Sequence, residues 1–215
     1  MEDSGAAARE CEWMACALGE ARRAAEEGDV PVGAVVVVRG EIIARAHNRR
    51  EADRDPTAHA ELVALRDVAA TLGRWRLHGA ELYTTLEPCP MCAGAMIAAR
   101  IDRVVFGARD PKAGACGSVV DLFAPGRFNH RPIVVGDVLG EACGLVLREF
   151  FARRRGHNGQ QILAASTLED APALPSASSD GRDGRVRSKA SDSKSDVGET
   201  PPGVQIPLSP PIRAC

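Results

Sequence analysis

No stretch of this chain approaches the ~20 consecutive apolar residues that a membrane-spanning helix needs, so no membrane span is expected. Charge of one sign is not in excess either. The 27 Lys and Arg residues stand against 29 Asp and Glu, for a net charge of −2. That excludes nucleic-acid binding through an overall basic surface, and leaves only local patches for such contacts. The opening residues, Met1-Glu2-Asp3-Ser4-Gly5, are acidic and lack the apolar core of a secretory signal. Without that signal the seven cysteines do not suggest a disulfide framework. A reducing, cytoplasmic setting is expected, in which thiols stay available as ligands. The chain's 215 residues, 45% of them hydrophobic, suffice for one packed domain of ordinary size with a tail.

The stretch from Ala58 to Cys92 carries the chemistry. It opens on Ala58-His59-Ala60-Glu61 and closes on Glu87-Pro88-Cys89-Pro90-Met91-Cys92. His59, Cys89 and Cys92 offer one imidazole and two thiolates, a soft set that suits zinc. Three protein ligands leave a fourth tetrahedral position open, as in a catalytic rather than a structural site. Zinc lowers the pKa of a water held there to about 7. Glu61 is close enough to reach that water and is not needed as a ligand, so its natural role is proton carrier. Taken singly, each part has a plainer reading. A Cys-x-x-Cys pair can be structural zinc or a redox motif, a His-x-Glu can arise by chance, and the two cysteines can be small buried hydrophobes. Their occurrence together, with Pro before the first Cys, favours the catalytic reading.

Periodicity places these residues on elements. Trp13, Met14, Ala17, Leu18, Ala21 and Ala25 recur at helical spacing within a helix expected over 9–27. The β-branched run 33–38 reads as a buried strand, and Arg39-Gly40-Glu41 turns it into a partner strand over 41–47 with Asn48 at its end. Residues 49–55 read as a polar turn. Thr57 is the expected cap of a helix running to about Leu72, which puts His59 and Glu61 in its first turn. Strand 80–86 then leads to a helix opened by Cys89 and Cys92 and running to about Arg100. A strand over 101–107, parallel to strand 80–86, follows. After a loop from 110 come a short strand at 133–135 and a helix over 139–155, whose apolar side holds Leu139, Cys143, Val146, Leu147, Phe150 and Phe151. From Gly156 onward Ser, Asp, Gly and Pro dominate. A disordered tail is expected over 157–215, a flexible N-terminus over 1–8, and one domain over 9–156.

His-x-Glu followed by Pro-Cys-x-x-Cys is the known signature of zinc nucleoside and base deaminases. The stretches Asp55–Glu61, Thr85–Ala95 and Val104–Asp110 go further and closely resemble the bacterial tRNA-specific adenosine deaminase family, over roughly residues 10–155. The resemblance implies a three-layer α/β/α fold around a mixed sheet of about five strands. It also implies one zinc per subunit, a homodimer, no nucleotide cofactor, and conversion of adenosine to inosine at the wobble position of an anticodon stem-loop, with an arginine tRNA as substrate. Carried over by motif, Asn48 contacts the target nucleoside, Asp110 lies at the substrate loop, and Asn129 and His130 lie near bound RNA. The terminal helix, with Phe151, Arg153, Arg154 and Arg155, borders the stem-loop; aromatics beside arginines suit unpaired RNA. The plainer readings are turn formers for Asn48 and Asp110 and a solvated helix end for the arginines. Cys116 and Cys215 receive no role. Two rival functions stay open: deamination of a free base or nucleoside such as guanine or cytosine, and a zinc-stabilised RNA-binding module without catalysis.

Overall fold

The computed structural model describes residues 2–165; the tail expected beyond them lies outside the described residues. The elements in order are α1 (Glu2–Glu26), β1 (Gly33–Val38), β2 (Glu41–His47), α2 (Arg50–Asp53), α3 (Ala60–Leu72), β3 (Ala80–Leu86), α4 (Pro90–Ala99), β4 (Arg103–Ala108), β5 (Ile133–Val135) and α5 (Gly140–Ala165). The sheet runs β2-β1-β3-β4-β5. β1 is antiparallel to both β2 and β3, and β3, β4 and β5 are mutually parallel. The helix between β3 and β4 forces that parallel pairing, as the sequence predicts.

The central strands are buried on both faces; β1 and β4 accordingly read as near-continuous apolar runs, while β3 also buries Thr84 and Thr85. Alternation sorts their side chains. Val35, Val37, Tyr83 and Val105 pack with Met14, Ala17 and Leu18 of α1 and Cys143 of α5. Ala34, Val36, Leu82 and Val104 pack with Ala64, Leu65 and Val68 of α3 and with Ala93, Met96 and Ile97 of α4. The result is a three-layer sandwich with α1 and α5 on one face and α3 and α4 on the other. Among the described residues no helix is long and apolar enough to cross a membrane.

Four local features differ from the sequence reading. α1 begins at Glu2, within the segment expected to be flexible, because its alanine-rich opening has high helix propensity. Residues 50–53 form a short helix instead of a turn. α5 continues through Ala165, past the boundary expected at 156. Thr57 does not cap α3: its backbone N–H and its hydroxyl both donate to Asp55 Oδ1, and the cap position falls on His59. The Asp-Pro-Thr sequence closes its own turn and delays the helix.

Candidate active site

β2 and β3 run in opposite directions to β1, so both end at the same edge of the sheet. The segments that leave this edge start α3 and α4. His59 is the residue immediately before α3, Cys89 the residue immediately before α4, and both have extended backbones. Neither side chain caps its own helix, so both are free to point at each other. Cys92 lies one turn into α4 and is fully buried. The outcome is a triangle: Cys89 Sγ is 3.6 Å from Cys92 Sγ and 3.7 Å from His59 Nδ1, and Cys92 Sγ is 3.6 Å from His59 Nδ1. A tetrahedral zinc with ordinary Zn–S and Zn–N lengths spans edges of about 3.8 Å between sulfurs and about 3.6 Å from sulfur to nitrogen. Among the described residues this is the one group of His, Cys, Asp and Glu with ligand atoms this close together.

The electrostatics point the same way. Contact with Cys92 holds the Cys89 thiol down to about 4, against its partial burial and with His59 adding to the effect. The same contact pushes Cys92 up, and burial and the nearby Glu61 push it further. Two adjacent thiols without a cation cannot both ionise. A divalent cation removes that conflict, so the donor set fits zinc. Glu61 lies in the first turn of α3 and is 3% exposed. Burial pushes its carboxyl up to about 7, with its own backbone N–H and His59 pulling back. A carboxyl that can both take and release a proton near neutrality is what a proton carrier requires.

Asn48 supplies the cap that His59 does not. Its Oδ1 accepts the Ala60 N–H at 3.0 Å, and its side chain is 5% exposed. Asn48 is itself fixed from behind. The His47 ring reaches Glu20 Oε2 at 3.0 Å through Nδ1 and Glu27 Oε2 at 3.2 Å through Nε2, and Arg49 extends the network to Glu27 and Asp53.

A family model described as "Cytidine and deoxycytidylate deaminase zinc-binding region" matches residues 8–108. The tRNA-specific adenosine deaminase of Bacillus subtilis (strain 168) is 52% identical over 143 residues, covering 66% of this chain and 89% of that relative. This chain belongs to the tRNA-specific adenosine deaminase family. A solved structure from "Biochemical and Structural Studies of A-to-I Editing by tRNA:A34 Deaminases at the Wobble Position of Transfer RNA" superposes with a TM-score of 0.61 at 46% identity, covering 63% of this chain and 98% of that one. Guanine deaminase from Nitrosomonas europaea shares the fold at a TM-score of 0.59 and 28% identity, with 65% of this chain and 83% of that one covered.

The other residues selected from the sequence of this deaminase are more scattered. Asp110 follows β4 at the site edge, but its Oδ1 accepts the Lys112 N–H, the local turn bond of the plainer reading. His130 lies at the opposite end of β4, where its Nε2 donates to the Ile101 carbonyl at 2.6 Å. Asn129 beside it is exposed. Within one chain, then, the fold does not bring 129 and 130 to the zinc donors. Phe151, placed on the apolar side of the terminal helix by its spacing, is 41% exposed and meets Phe150 edge to face at 5.4 Å. Arg154 covers the Phe150 ring and reaches the Gly28 carbonyl at 3.4 Å, Arg153 lies 3.9 Å from Glu149, and Arg155 is exposed.

Two features of this deaminase escaped the sequence reading. The first is the His47 network. Its one signal is the spacing of Glu20 and Glu27, seven residues apart and so on one face of α1. The second is Glu87. Burial pushes its carboxyl up, but hydrogen bonds from Ser118, Asp110 and Cys116 outweigh burial and hold it below the usual range. No periodicity in residues 110–118 announces that role.

Proposed function

We propose that this protein is a zinc-dependent hydrolase that converts adenosine to inosine at the wobble position, 34, of a tRNA anticodon. Deamination is carried by one observation: a buried carboxyl, Glu61, beside the His59, Cys89 and Cys92 donor triangle. The RNA substrate is supported by 52% identity to the Bacillus subtilis relative, against 28% to the guanine deaminase. His59, Cys89 and Cys92 would hold the zinc, which when bound acts as a Lewis acid that makes water a nucleophile near neutral pH.

The remaining steps belong to the chain. Glu61 takes the proton of the attacking water and passes it to N1 of adenine as the oxygen adds at C6. The proton of the new C6 hydroxyl then returns through Glu61 to the departing amine, giving ammonia and inosine. Asn48, its Oδ1 committed to Ala60, presents its amide N–H groups to the target nucleoside. The tight packing around Glu61 and Cys92 excludes bulk water. An unpaired anticodon base reaches this depth at less cost than a paired one. Phe151, Arg153, Arg154 and Arg155 supply stacking and charge to the stem-loop, and Asp110, Asn129 and His130 complete the contacts. An arginine tRNA, a homodimer and a cytoplasmic location complete the reading and are supported by the family resemblance.

The test is inosine at position 34 and ammonia release from the zinc-loaded protein. The substrates are an arginine tRNA stem-loop, free adenosine, guanine and cytosine. Inosine in the stem-loop and no ammonia from the free compounds is expected. Ammonia from guanine or cytosine with unedited RNA refutes the reading.

A further inference from the structure

We propose that Glu87 is a positioning residue that holds loop 110–118 as one wall of the active site. The proposal rests on the deaminase reading above. Glu87 follows the last residue of β3 and its side chain is 2% exposed. Its carboxylate accepts four hydrogen bonds, all from that loop. Oε1 takes the backbone N–H groups of Cys116 at 2.9 Å and Ser118 at 3.1 Å. Oε2 takes the Asp110 N–H at 3.0 Å and the Ser118 hydroxyl. The donors lie 23 to 31 residues away in sequence, so one side chain sets the path of a long-range segment.

The backbone on either side repeats the attachment. Glu87 N–H donates to the Ala108 carbonyl, and Ala115 N–H donates to the Pro88 carbonyl, both at 2.8 Å. Gly114 shows how closely the loop wraps: a Cβ there would press into the Glu87 carboxylate and the Asp110 carbonyl. Two residues after Glu87 the chain delivers Cys89 to the donor triangle. Cys116 packs in the same core cluster as Cys89 and Cys92. A single short stretch therefore fixes both a zinc donor and the loop that carries Asp110. Glu87 thereby ties the position of the loop to that of the zinc donor.

Glu87→Gln isolates this role. The amide oxygen can still accept the Cys116 and Ser118 N–H groups. The amide nitrogen then faces the Asp110 N–H, donor against donor, and the Asp110 end of the loop is released. In the zinc-loaded full chain, kcat/KM for the stem-loop should fall at least ~10-fold, mostly through KM, because the loop positions substrate and does no chemistry. Zinc content should stay at the wild-type level, and the amides of 110–118 should exchange with solvent faster. Ser118→Ala, which removes one of the four bonds, should raise KM by about 2- to 3-fold in the same direction. Wild-type KM in Glu87→Gln overturns the proposal. Loss of zinc also overturns it, since Glu87 would then support the ligands and not the loop. If Glu87→Gln does not fold, Ser118→Ala decides, and a wild-type KM there overturns it equally. Failure of the deaminase reading would look different, with no inosine made by the unaltered chain. In that case the exchange and zinc measurements still decide whether Glu87 holds the loop.

Discussion

Asn48 has two duties that a pair of substitutions can separate. Its Oδ1 caps α3 through the Ala60 N–H, and in the proposed reading its amide N–H groups contact the target nucleoside. Asn48→Ala removes both. Losing a helix cap costs about 1 kcal/mol, and leaving a buried donor unpaired raises that toward about 2 kcal/mol. For a domain of this size each kcal/mol moves Tm by about 2–4 °C, so Tm should fall by about 2–8 °C. Asn48→Asp keeps an oxygen for the Ala60 N–H, at a helix N-terminus that favours negative charge. Its Tm should stay nearer the wild-type value. It nevertheless loses the donors, and kcat/KM on the stem-loop should fall about 10-fold or more. The measurements are thermal unfolding of the zinc-loaded proteins and initial rates on the same samples. An unchanged Tm in Asn48→Ala would refute the capping argument. Wild-type rates in Asn48→Asp would show that the amide does not touch substrate.

Three further outcomes are expected. Glu61→Gln, near-isosteric and unable to shuttle protons, should retain zinc and RNA binding but lose at least ~100-fold in deamination; near-wild-type turnover would remove its role as proton carrier. Replacing Arg153, Arg154 and Arg155 by Ala should weaken stem-loop binding and flatten its salt dependence, with zinc content unchanged and turnover of saturating RNA reduced less than affinity. An unchanged salt slope would mean the arginines are only a solvated helix end. In the metal-free site Cys92 holds its proton above the usual thiol range, so zinc has to displace it. Zinc affinity should therefore rise with pH, and binding should release protons, as read by titration calorimetry in buffers of different ionisation enthalpy. An affinity independent of pH would contradict that assignment.

The sequence by itself determined the donor set, the carboxylate beside it and the element type of nearly every segment. Each of these is a local property. The zinc signature is a spacing, and the alternation in β1 and the helical period in α1 fix which side chains turn inward. The same patterns cannot say which element covers a buried face, so the meeting of His59 with Cys89 at 3.7 Å was decided only by the antiparallel placement of β1 between β2 and β3. The α3 cap shows the limit on a smaller scale. Thr57 is the better local candidate, but Asp55 engages it first, and an asparagine twelve residues upstream takes the Ala60 N–H instead. Loop 110–118 shows it most fully. It has no periodic pattern, and much of its order comes from hydrogen bonds to Glu87 and Pro88 in another part of the chain. A hydrogen bond across 31 residues leaves no mark on composition or spacing. Glu87 therefore looked like one more residue beside a zinc motif until the fold put four donors around it.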